Sequence, residues 1–371
     1  MVEVREVKSK KEQKAFLNFP LDLYKGNEYF VPPLYGDEKQ IFSKDYMYAD
    51  QTDTVYFNAY RDGKIVGRIS GILQKAANAK WQQKQVRFTR FDSIDDQEVA
   101  TALFSAVEKW AREKGMEEIV GPLGFSDLER EGLLIDGFDQ LSTFEEQYNY
   151  DYYQRLIENC GYGKDVDWIE HKLFAPHGMD PRVEKISARI MEKYNLHYGE
   201  ARNTREFLKK YADKIFAIWD DTYNHIYGTV PFTPTIKKNT LQNFKLLIDM
   251  RFLAIVLDEN EDIVAFGVVL PSIAKAVQPS RGHLTLGCIL RILRAAKSPK
   301  VLDMGVIGVS DKYKNKGINA AIVNKIAKNW ITRIDHAETN LNLEYNDPIN
   351  NMWKNFREEV HKRRRCFIKK L

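Results

Sequence analysis

Residues 310–326 read SDKYKNKGINAAIVNKI, and the interpretation of the whole chain depends on this stretch. An apolar run, VLDMGVIGV at 301–309, precedes it, and isoleucines recur every four residues within it. The pattern predicts a strand over 301–309, a turn, and a helix over 317–331. Backbone N–H groups at a helix start are unpaired and lie at the positive end of the helix dipole. Because Gly317 lets another group approach the backbone closely, the turn is suited to hold a phosphate group.

Size and composition indicate a folded protein of two domains. The chain has 371 residues, longer than one hydrophobic core usually grows, and 44% of them are hydrophobic. A formal net charge of +4 argues against a dedicated nucleic-acid binder. The three cysteines are far apart, which argues against a disulfide scaffold and predicts no metal site. We expect a cytoplasmic protein without a membrane span, because the longest apolar run, IVAFGVVL, is too short to cross a bilayer.

The same series of predicted elements occurs twice along the chain. Each copy has a helix, a hairpin, a strand, a second helix, another strand, a third helix and a final strand. The hairpins lie at 55–73 and 251–270, and Asp62-Gly63 suits the two-residue turn of the first. We place the link between the copies at APHGMDPRV, 175–183, where prolines and a glycine interrupt regular structure. The predicted helices cover 9–18, 97–113, 148–159, 205–219, 317–331 and 348–358.

This repeated order resembles a tandem of GNAT-superfamily acyl-CoA N-acyltransferase domains, and the resemblance covers nearly the whole chain. It implies an α/β fold of two tandem GNAT-like domains, with mixed sheets flanked by helices. Residues 1–176 would form a degenerate copy and residues 182–371 the copy that binds acyl-CoA. The residues that match the superfamily's pyrophosphate motif are Lys314, Asn315, Lys316, Gly317, Ile318 and Asn319. Two of them depart from it: Lys314 replaces the more frequent Arg or Gln, and Asn319 replaces a Gly or Ala.

The corresponding turn of the first copy has a different composition. It reads DSIDDQEVA, 92–100, with four carboxylates and no glycine. Carboxylates at that position would repel a diphosphate. We therefore expect one coenzyme A site per chain.

The resemblance also implies a mechanism. In the GNAT superfamily an amine attacks the thioester of acyl-CoA directly, without a metal. Such a reaction needs a general base, a backbone N–H facing the thioester oxygen and a donor for the leaving thiolate. The pantetheine arm would lie along the strand 301–309, with the backbone of Ile307 and Val309 as its hydrogen-bond partners.

Candidate catalytic residues follow the motif helix. Glu338 is the first candidate for the base, and His336 and Glu344 are weaker ones. The superfamily often takes its thiolate donor from a tyrosine on the next helix, and here that place falls at or beside Trp353. Tyr345 is close to it in sequence, so we take Glu338 and Tyr345 as the candidate catalytic residues.

Two inserts carry further hypotheses. The segment 121–144 is acidic and punctuated by glycines, and we expect it to wall an acceptor pocket where its carboxylates attract a cationic amine. A surface loop is the alternative. The basic segment 272–300 has an apolar face beside arginines, which suits a membrane surface, a long acyl chain or a helix that covers the core.

The sequence thus predicts an N-acyltransferase that moves an acyl group to a primary amine of a small molecule or peptide. The donor would be acetyl-CoA or another acyl-CoA, with acetyl expected. Two alternatives stay open. One is an aminoacyl-tRNA-dependent transferase of the same tandem type. Its supporting features are the basic insert and the run HKRRRC, 361–366. Alternating residues of a terminal strand that point to solvent also account for that run. The other is a non-catalytic acyl-CoA-binding module, supported by Asn319 and Trp353.

Overall fold

The structure is a computed structural model, and it describes residues 1–174, 181–245, 247–330, 334–354 and 356–371. Most of the predicted link at 175–183 lies outside these residues. The strands of the first half are β1 (Glu3–Glu6), β2 (Thr52–Arg61), β3 (Lys64–Gln74), β4 (Gln85–Ser93), β5 (Glu118–Gly121), β6 (Leu133–Asp136) and β7 (Gly163–Phe174). Its helices are α1 (Lys10–Leu23), α2 (Tyr35–Lys39), α3 (Lys75–Trp81), α4 (Gln97–Glu113) and α5 (Tyr152–Asn159).

The second half repeats the series. Its strands are β8 (His197–Tyr198), β9 (Leu253–Leu257), β10 (Ile263–Pro271), β11 (Val301–Val309), β12 (His336–Thr339), β13 (Asn342–Leu343) and β14 (Glu358–Lys370). Its helices are α6 (Pro181–Lys193), α7 (Thr204–Tyr223), α8 (Pro234–Phe244), α9 (Ala274–Val277), α10 (Leu286–Lys297), α11 (Asn319–Trp330) and α12 (Asp347–Trp353). The predicted order of helix, hairpin, strand, helix, strand, helix and strand is confirmed in both halves.

The two halves share one mixed sheet, in the order β1-β2-β3-β4-β5-β14-β7-β12-β11-β10-β9-β8. Their final strands are exchanged. β7, the last strand of the first half, pairs with β12 of the second, and β14, the last strand of the second half, pairs with β5 of the first. β7 and β14 also pair with each other along most of their length. The division into domains at 1–176 and 182–371 stays a prediction.

Buried ion pairs connect the two exchanged strands. Lys362 on β14 is fully buried, and its Nζ lies 2.9 Å from Glu170 Oε2 on β7. Arg364, also fully buried, places Nε 2.5 Å from the other oxygen of Glu170. A slip of one residue would turn both cations to the opposite face of the sheet, so the pairs disfavour other registers.

Helices cover both faces of the second half of the sheet. Successive residues of a strand point to opposite faces. On β9, Leu253 and Ile255 pack with residues of α7, whereas Ala254 and Val256 pack with residues of α11. The helices α7 and α11 therefore lie on opposite faces. Within the part of the chain that the structure describes, no helix is both long and apolar enough to span a bilayer.

Candidate functional site

The strands β11 and β12 separate part-way along their length. They pair in parallel for four residues, ending at Met304 and Thr339. At this point β11 contains an extra residue relative to β10, Gly305, where a Cβ would lie 2.8 Å from the carbonyl oxygen of Val268. Such a bulge bends the strand that carries it. The bulge coincides with the start of a gap between β11 and β12.

A cavity of about 320 Å³ occupies this gap and reaches both faces of the sheet. Its volume falls in the range of small-molecule sites, and most of its wall is apolar. The wall is formed on the α11 face by Ile322, Ile326 and Trp330, and on the α7 face by Phe207, Trp219 and Tyr223.

The backbone of β11 faces this gap at Ile307 and Val309. The N–H of Ser310 donates to the carbonyl of Val264, so Val309 and the residue opposite it on β10 form a non-hydrogen-bonded pair. Hydrogen-bonded and non-hydrogen-bonded pairs alternate along an antiparallel ladder. The N–H and C=O groups of Ile307 therefore also make no hydrogen bond to β10. The hydroxyl of Tyr223 donates to the carbonyl of Ile307 at 2.9 Å, in agreement with this arrangement. Both predicted partners of the pantetheine arm thus turn their backbone groups toward the gap.

The turn between β11 and α11 has free amides. The N–H groups of Asn315, Gly317, Ile318 and Asn319 have no hydrogen-bond partner among the described residues. Gly317 has φ +79°, which favours glycine, and a Cβ on it would meet Ile190 of α6 at 2.9 Å. Four amides at a helix start form a cradle for an anion.

The lysines of this turn are held in different ways. Lys314 pairs with Asp311, so part of its charge is neutralised within the turn. The ammonium of Lys316 lies 5.3 Å from the ring centroid of Tyr194 and 5.0 Å from that of Tyr313. Lys316 is therefore a more available cation than Lys314, the residue at the motif's basic position.

The equivalent turn of the first half is capped by the chain itself. The side chain of Asp96 accepts hydrogen bonds from the amides of Glu98 and Val99, at 2.9 and 3.3 Å. Arg61 Nη1 pairs with the same carboxylate at 2.7 Å. A carboxylate already lies where the second half has free amides, which supports the expectation of one coenzyme A site.

Asp303 is a buried acid on β11 next to the gap. It lies on the α7 face, opposite to its neighbours Leu302 and Met304, and lines the cavity. Burial raises its pKa to about 8, with repulsion from Glu338 as the next cause. Its Oδ1 has no hydrogen-bond partner among the described residues. Asp303 is not among the candidates predicted from the sequence, although it is the single charged residue in an otherwise apolar strand, which is a usable signal.

The acidic insert supplies further carboxyl groups to the same wall. Asp127 and Glu131, together with Glu145 and Glu146 just after the insert, line the cavity. Burial raises the pKa of Glu146 to about 8 and that of Glu145 to about 7, and it raises the pKa of Glu131 well above its usual value. Residues of the insert 121–144 thus line a cavity, and the acceptor role of that cavity stays a prediction. A cation in the cavity would favour the charged form of each of these acids.

Glu338, the predicted base, lies on the sheet beside Asp303 but is held in an ion pair. Its Oε2 is 3.0 Å from Lys362 Nζ, and His336 Nε2 is 3.4 Å from its other oxygen. Burial alone would raise the pKa of Glu338, but Lys362, His336 and His361 together outweigh it and hold the pKa well below its usual range. Glu338 is not part of the cavity wall. Its role as the base stays a prediction.

The other candidates lie in different surroundings. Tyr345 is 60% exposed and lies outside the cavity wall, and Glu344 pairs with Lys164. Trp353 does line the cavity, and its indole N–H donates to Asn342 Oδ1 at 3.2 Å. Trp353 therefore lies on the cavity wall, as does Ile322 in the first turn of the helix that follows the free amides, whereas Tyr345 and Glu344 are not part of that wall.

Comparison with solved structures identifies the fold. A tandem GNAT protein from the clavulanic acid biosynthesis pathway aligns over 100% of this chain and 98% of its own, with a TM-score of 0.56 and 10% identity. This chain has the tandem GNAT fold. A GCN5-related N-acetyltransferase from Sphaerobacter thermophilus aligns over 100% of this chain and 95% of its own, with a TM-score of 0.51 and 10% identity. The predicted tandem GNAT fold is confirmed.

Sequence comparison gives two curated relatives of this tandem GNAT chain. Protein YghO of Escherichia coli is 27% identical over 381 residues, covering 99% of this chain and 95% of the relative. A bacterial ceramide synthase of Caulobacter vibrioides is 26% identical over 312 residues, covering 81% of this chain and 79% of the relative. No family model matches the sequence.

Proposed function

We propose that this chain is an acyl-CoA-dependent N-acyltransferase. The observation that carries the proposal is the cavity between β11 and β12, which joins the two faces of the sheet. Next to its α11 face lies a turn with free amides, and on its α7 face lie buried acids. An anionic donor and a cationic acceptor would thus reach one cavity from opposite sides.

The donor would bind along β11. The diphosphate of coenzyme A would accept hydrogen bonds from the amides of residues 315–319, aided by Lys316 and the helix dipole of α11. The pantetheine arm would pair with the backbone groups of Ile307 and Val309 that face the gap. The thioester would then lie beside the bulge at Gly305.

Asp303 is our preferred general base. A group whose pKa lies near the working pH serves best for proton transfer, and burial places the pKa of Asp303 at about 8. In its ionised form it would take a proton from the ammonium of the acceptor. The amine nitrogen then bonds to the thioester carbon, the carbon–sulfur bond breaks, and the leaving thiolate of coenzyme A takes up the second proton, which the nitrogen loses as the amide forms.

The acceptor is best described as an amphipathic primary amine. On the α7 face, apolar side chains such as Phe207 and Leu241 line the cavity together with Glu131 and Glu146. An ammonium group would pair with the acids while an apolar chain covers the hydrophobic wall. A relative named as a ceramide synthase supports this class, because a ceramide is the fatty amide of a long-chain amino alcohol. Acetyl stays the acyl group expected from the sequence, and acyl length is a variable of the assay below.

The tRNA alternative loses one of its supporting features in the structure. Lys362 and Arg364 of the run 361–366 are fully buried, so these two are not among the alternating residues that point to solvent. Arg365 pairs with Asp167 at 2.8 Å. These cations hold β14 to β7, so they are not arranged to contact a nucleic acid.

We expect Asn319→Asp to weaken acyl-CoA binding by at least about tenfold. The change places a carboxylate at the first residue of α11, beside the free amides, where it repels the diphosphate. The same charge is favourable for the helix dipole, so the fold should be retained. The readouts are KM for acyl-CoA and the rise in melting temperature that acyl-CoA produces.

The matched control is Asn159→Asp, at an exposed residue of α5 in the first half, together with a melting curve without ligand. An unchanged KM in a folded Asn319→Asp protein would contradict binding of the diphosphate at this turn. A ligand-induced rise in melting temperature without any turnover would instead favour the non-catalytic module.

We expect thiol release from acyl-CoA to depend on an acceptor that has both an amine and an apolar chain. The assay compares acetyl-CoA with palmitoyl-CoA, each with sphinganine, ethanolamine and a long-chain alcohol, and detects the amide by mass spectrometry. Sphinganine should give the largest kcat/KM, because the other two lack either the apolar chain or the cation. A higher kcat/KM with ethanolamine would contradict the amphipathic acceptor while leaving N-acyl transfer intact.

A further inference from the structure

The helix α10 exposes apolar side chains to solvent. Leu286, Ile289, Leu290 and Leu293 are 75%, 42%, 59% and 53% exposed, and Leu284 just before the helix is 54% exposed. The spacing of the four helical residues, i, i+3, i+4 and i+7, places them in one stripe on one side of the helix. Single exposed leucines are ordinary on a protein surface, but a continuous stripe marks an interaction surface.

Charges around this stripe have one sign. The segment 272–300, which contains α9 and α10, has six Lys and Arg residues and no Asp or Glu. Arg294 and Lys297 continue the stripe at the end of α10, where their side chains are exposed. Long basic side chains can lie along apolar surface while their charged ends reach phosphate groups. The surface is therefore complementary to a partner that has an apolar interior and an anionic outer layer.

The segment is fixed to the body of the protein on its other side. Cys288 is fully buried beneath the helix, and the Nε of Arg291 donates to the carbonyl of Ala276 at 2.9 Å. The ring of His283 stacks on Tyr35 of the first half at 4.3 Å. Because these contacts hold α10 in place, the apolar stripe does not turn inward to cover the core.

We infer that α10 docks this protein on the surface of an anionic lipid bilayer. The stripe Leu286, Ile289, Leu290 and Leu293 enters the boundary between head groups and acyl chains, and Arg294 and Lys297 contact lipid phosphates. This is the arrangement of an interfacial helix that lies parallel to the membrane plane. The inference concerns binding alone and does not depend on the proposed reaction.

A second cavity connects this surface to the interior. It has a volume of about 540 Å³. Its lining residues include Leu284, just before α10, and Ile292, within α10. Leu128, Glu129 and Glu145 line this cavity and also the one between β11 and β12. The docking surface thus borders a space that shares a wall with the candidate site.

The test is flotation of the full-length protein with vesicles of phosphatidylcholine alone and of phosphatidylcholine with 30% phosphatidylglycerol. We expect binding to the anionic vesicles that falls with added salt. The double variant Leu290→Ser with Leu293→Ser should lower the partition coefficient by roughly tenfold or more, since both side chains lose their contact with acyl chains. The double variant Arg294→Gln with Lys297→Gln should lower it by roughly fivefold per charge, on anionic vesicles only.

Ile186→Ser is the matched control, because Ile186 is a 48% exposed apolar residue on α6 away from the stripe. It should leave the partition coefficient unchanged, and all variants should keep the parent melting temperature. Equal binding by the parent and the Leu290→Ser, Leu293→Ser variant would overturn the inference. So would absence of vesicle binding combined with a dimer in sedimentation velocity that this variant dissociates, because the stripe would then be an interface between two copies.

Discussion

Replacing Asp303 with asparagine is expected to lower kcat by about 100- to 10,000-fold, the usual contribution of a general base. Asparagine has nearly the same shape but cannot accept the proton of the acceptor ammonium. The KM for acyl-CoA should change little, because the amides that would bind the diphosphate lie beyond the far end of β11. Steady-state thiol release at saturating amine measures both quantities.

The pH profile separates this role from a structural one. Asp303 acts as a base only when ionised, so kcat of the parent protein should rise as the pH increases through about 8. The Asp303→Asn variant should lack this rise in kcat. In Glu338→Gln the rise in kcat should persist, because the pKa of Glu338 lies well below its usual range and that group is already ionised at neutral pH. If the rise disappears with Glu338→Gln and persists with Asp303→Asn, the base is Glu338, as the sequence predicted.

Asp303 also gives stability a defined pH dependence. Its pKa is higher in the folded protein than in the unfolded chain, so between about pH 4 and pH 8 the folded state binds more protons. The free energy of unfolding therefore decreases as the pH rises through this range. Asp303→Asn should weaken that decrease, which urea denaturation at pH 5 and pH 9 would show.

Replacing Lys362 with methionine is expected to lower the free energy of unfolding by about 3 to 5 kcal/mol. Lys362 is fully buried, and its Nζ lies 2.9 Å from Glu170 and 3.0 Å from Glu338. Methionine fills similar space but removes the cation, which leaves Glu338 buried without a lysine partner. Urea denaturation at pH 7 measures the loss.

Two variants define the origin of this loss. Lys370→Met removes an exposed lysine from the same strand and should change the free energy of unfolding by less than about 0.5 kcal/mol. Adding Glu338→Gln to Lys362→Met should restore part of the stability, because the unpaired carboxylate is then gone. The pKa of Glu338 is lower in the folded protein than in the unfolded chain, so this group stabilises the fold at pH values above its unfolded pKa. That stabilisation is lost as the pH falls, and Lys362→Met should make the loss smaller. Equal losses for Lys362→Met and Lys370→Met would contradict the ion-pair account.

Local features of the site were predictable from the sequence. The free amides of the turn depend on a strand, a glycine and a helix start that follow one another directly, and strand 301–309 has the predicted bounds. In the first half, the carboxylates within a few residues predicted repulsion of a diphosphate, and the structure shows that one of them also caps the turn. Local hydrogen bonding decides both turns, and neighbouring residues determine it.

Long-range features were not predictable in the same way. Glu338 lies on the strand β12, but its partner Lys362 lies 24 residues further on. The basic run of β14 resembles a solvated edge strand, whereas the structure places that strand between β5 and β7. Whether a charged strand lies at an edge or inside a sheet depends on which strands pair with it, and no local pattern contains that information.

The exchange of β7 and β14 has a consequence for biosynthesis. β5 obtains its neighbour β14 only after every other strand of the sheet has been synthesised. Until then the amino-terminal half carries an unfilled edge, and unfilled edges are sites of misassociation between nascent chains. Closure of the amino-terminal half therefore waits for the synthesis of β14, and separately expressed halves would have to find each other before either could close.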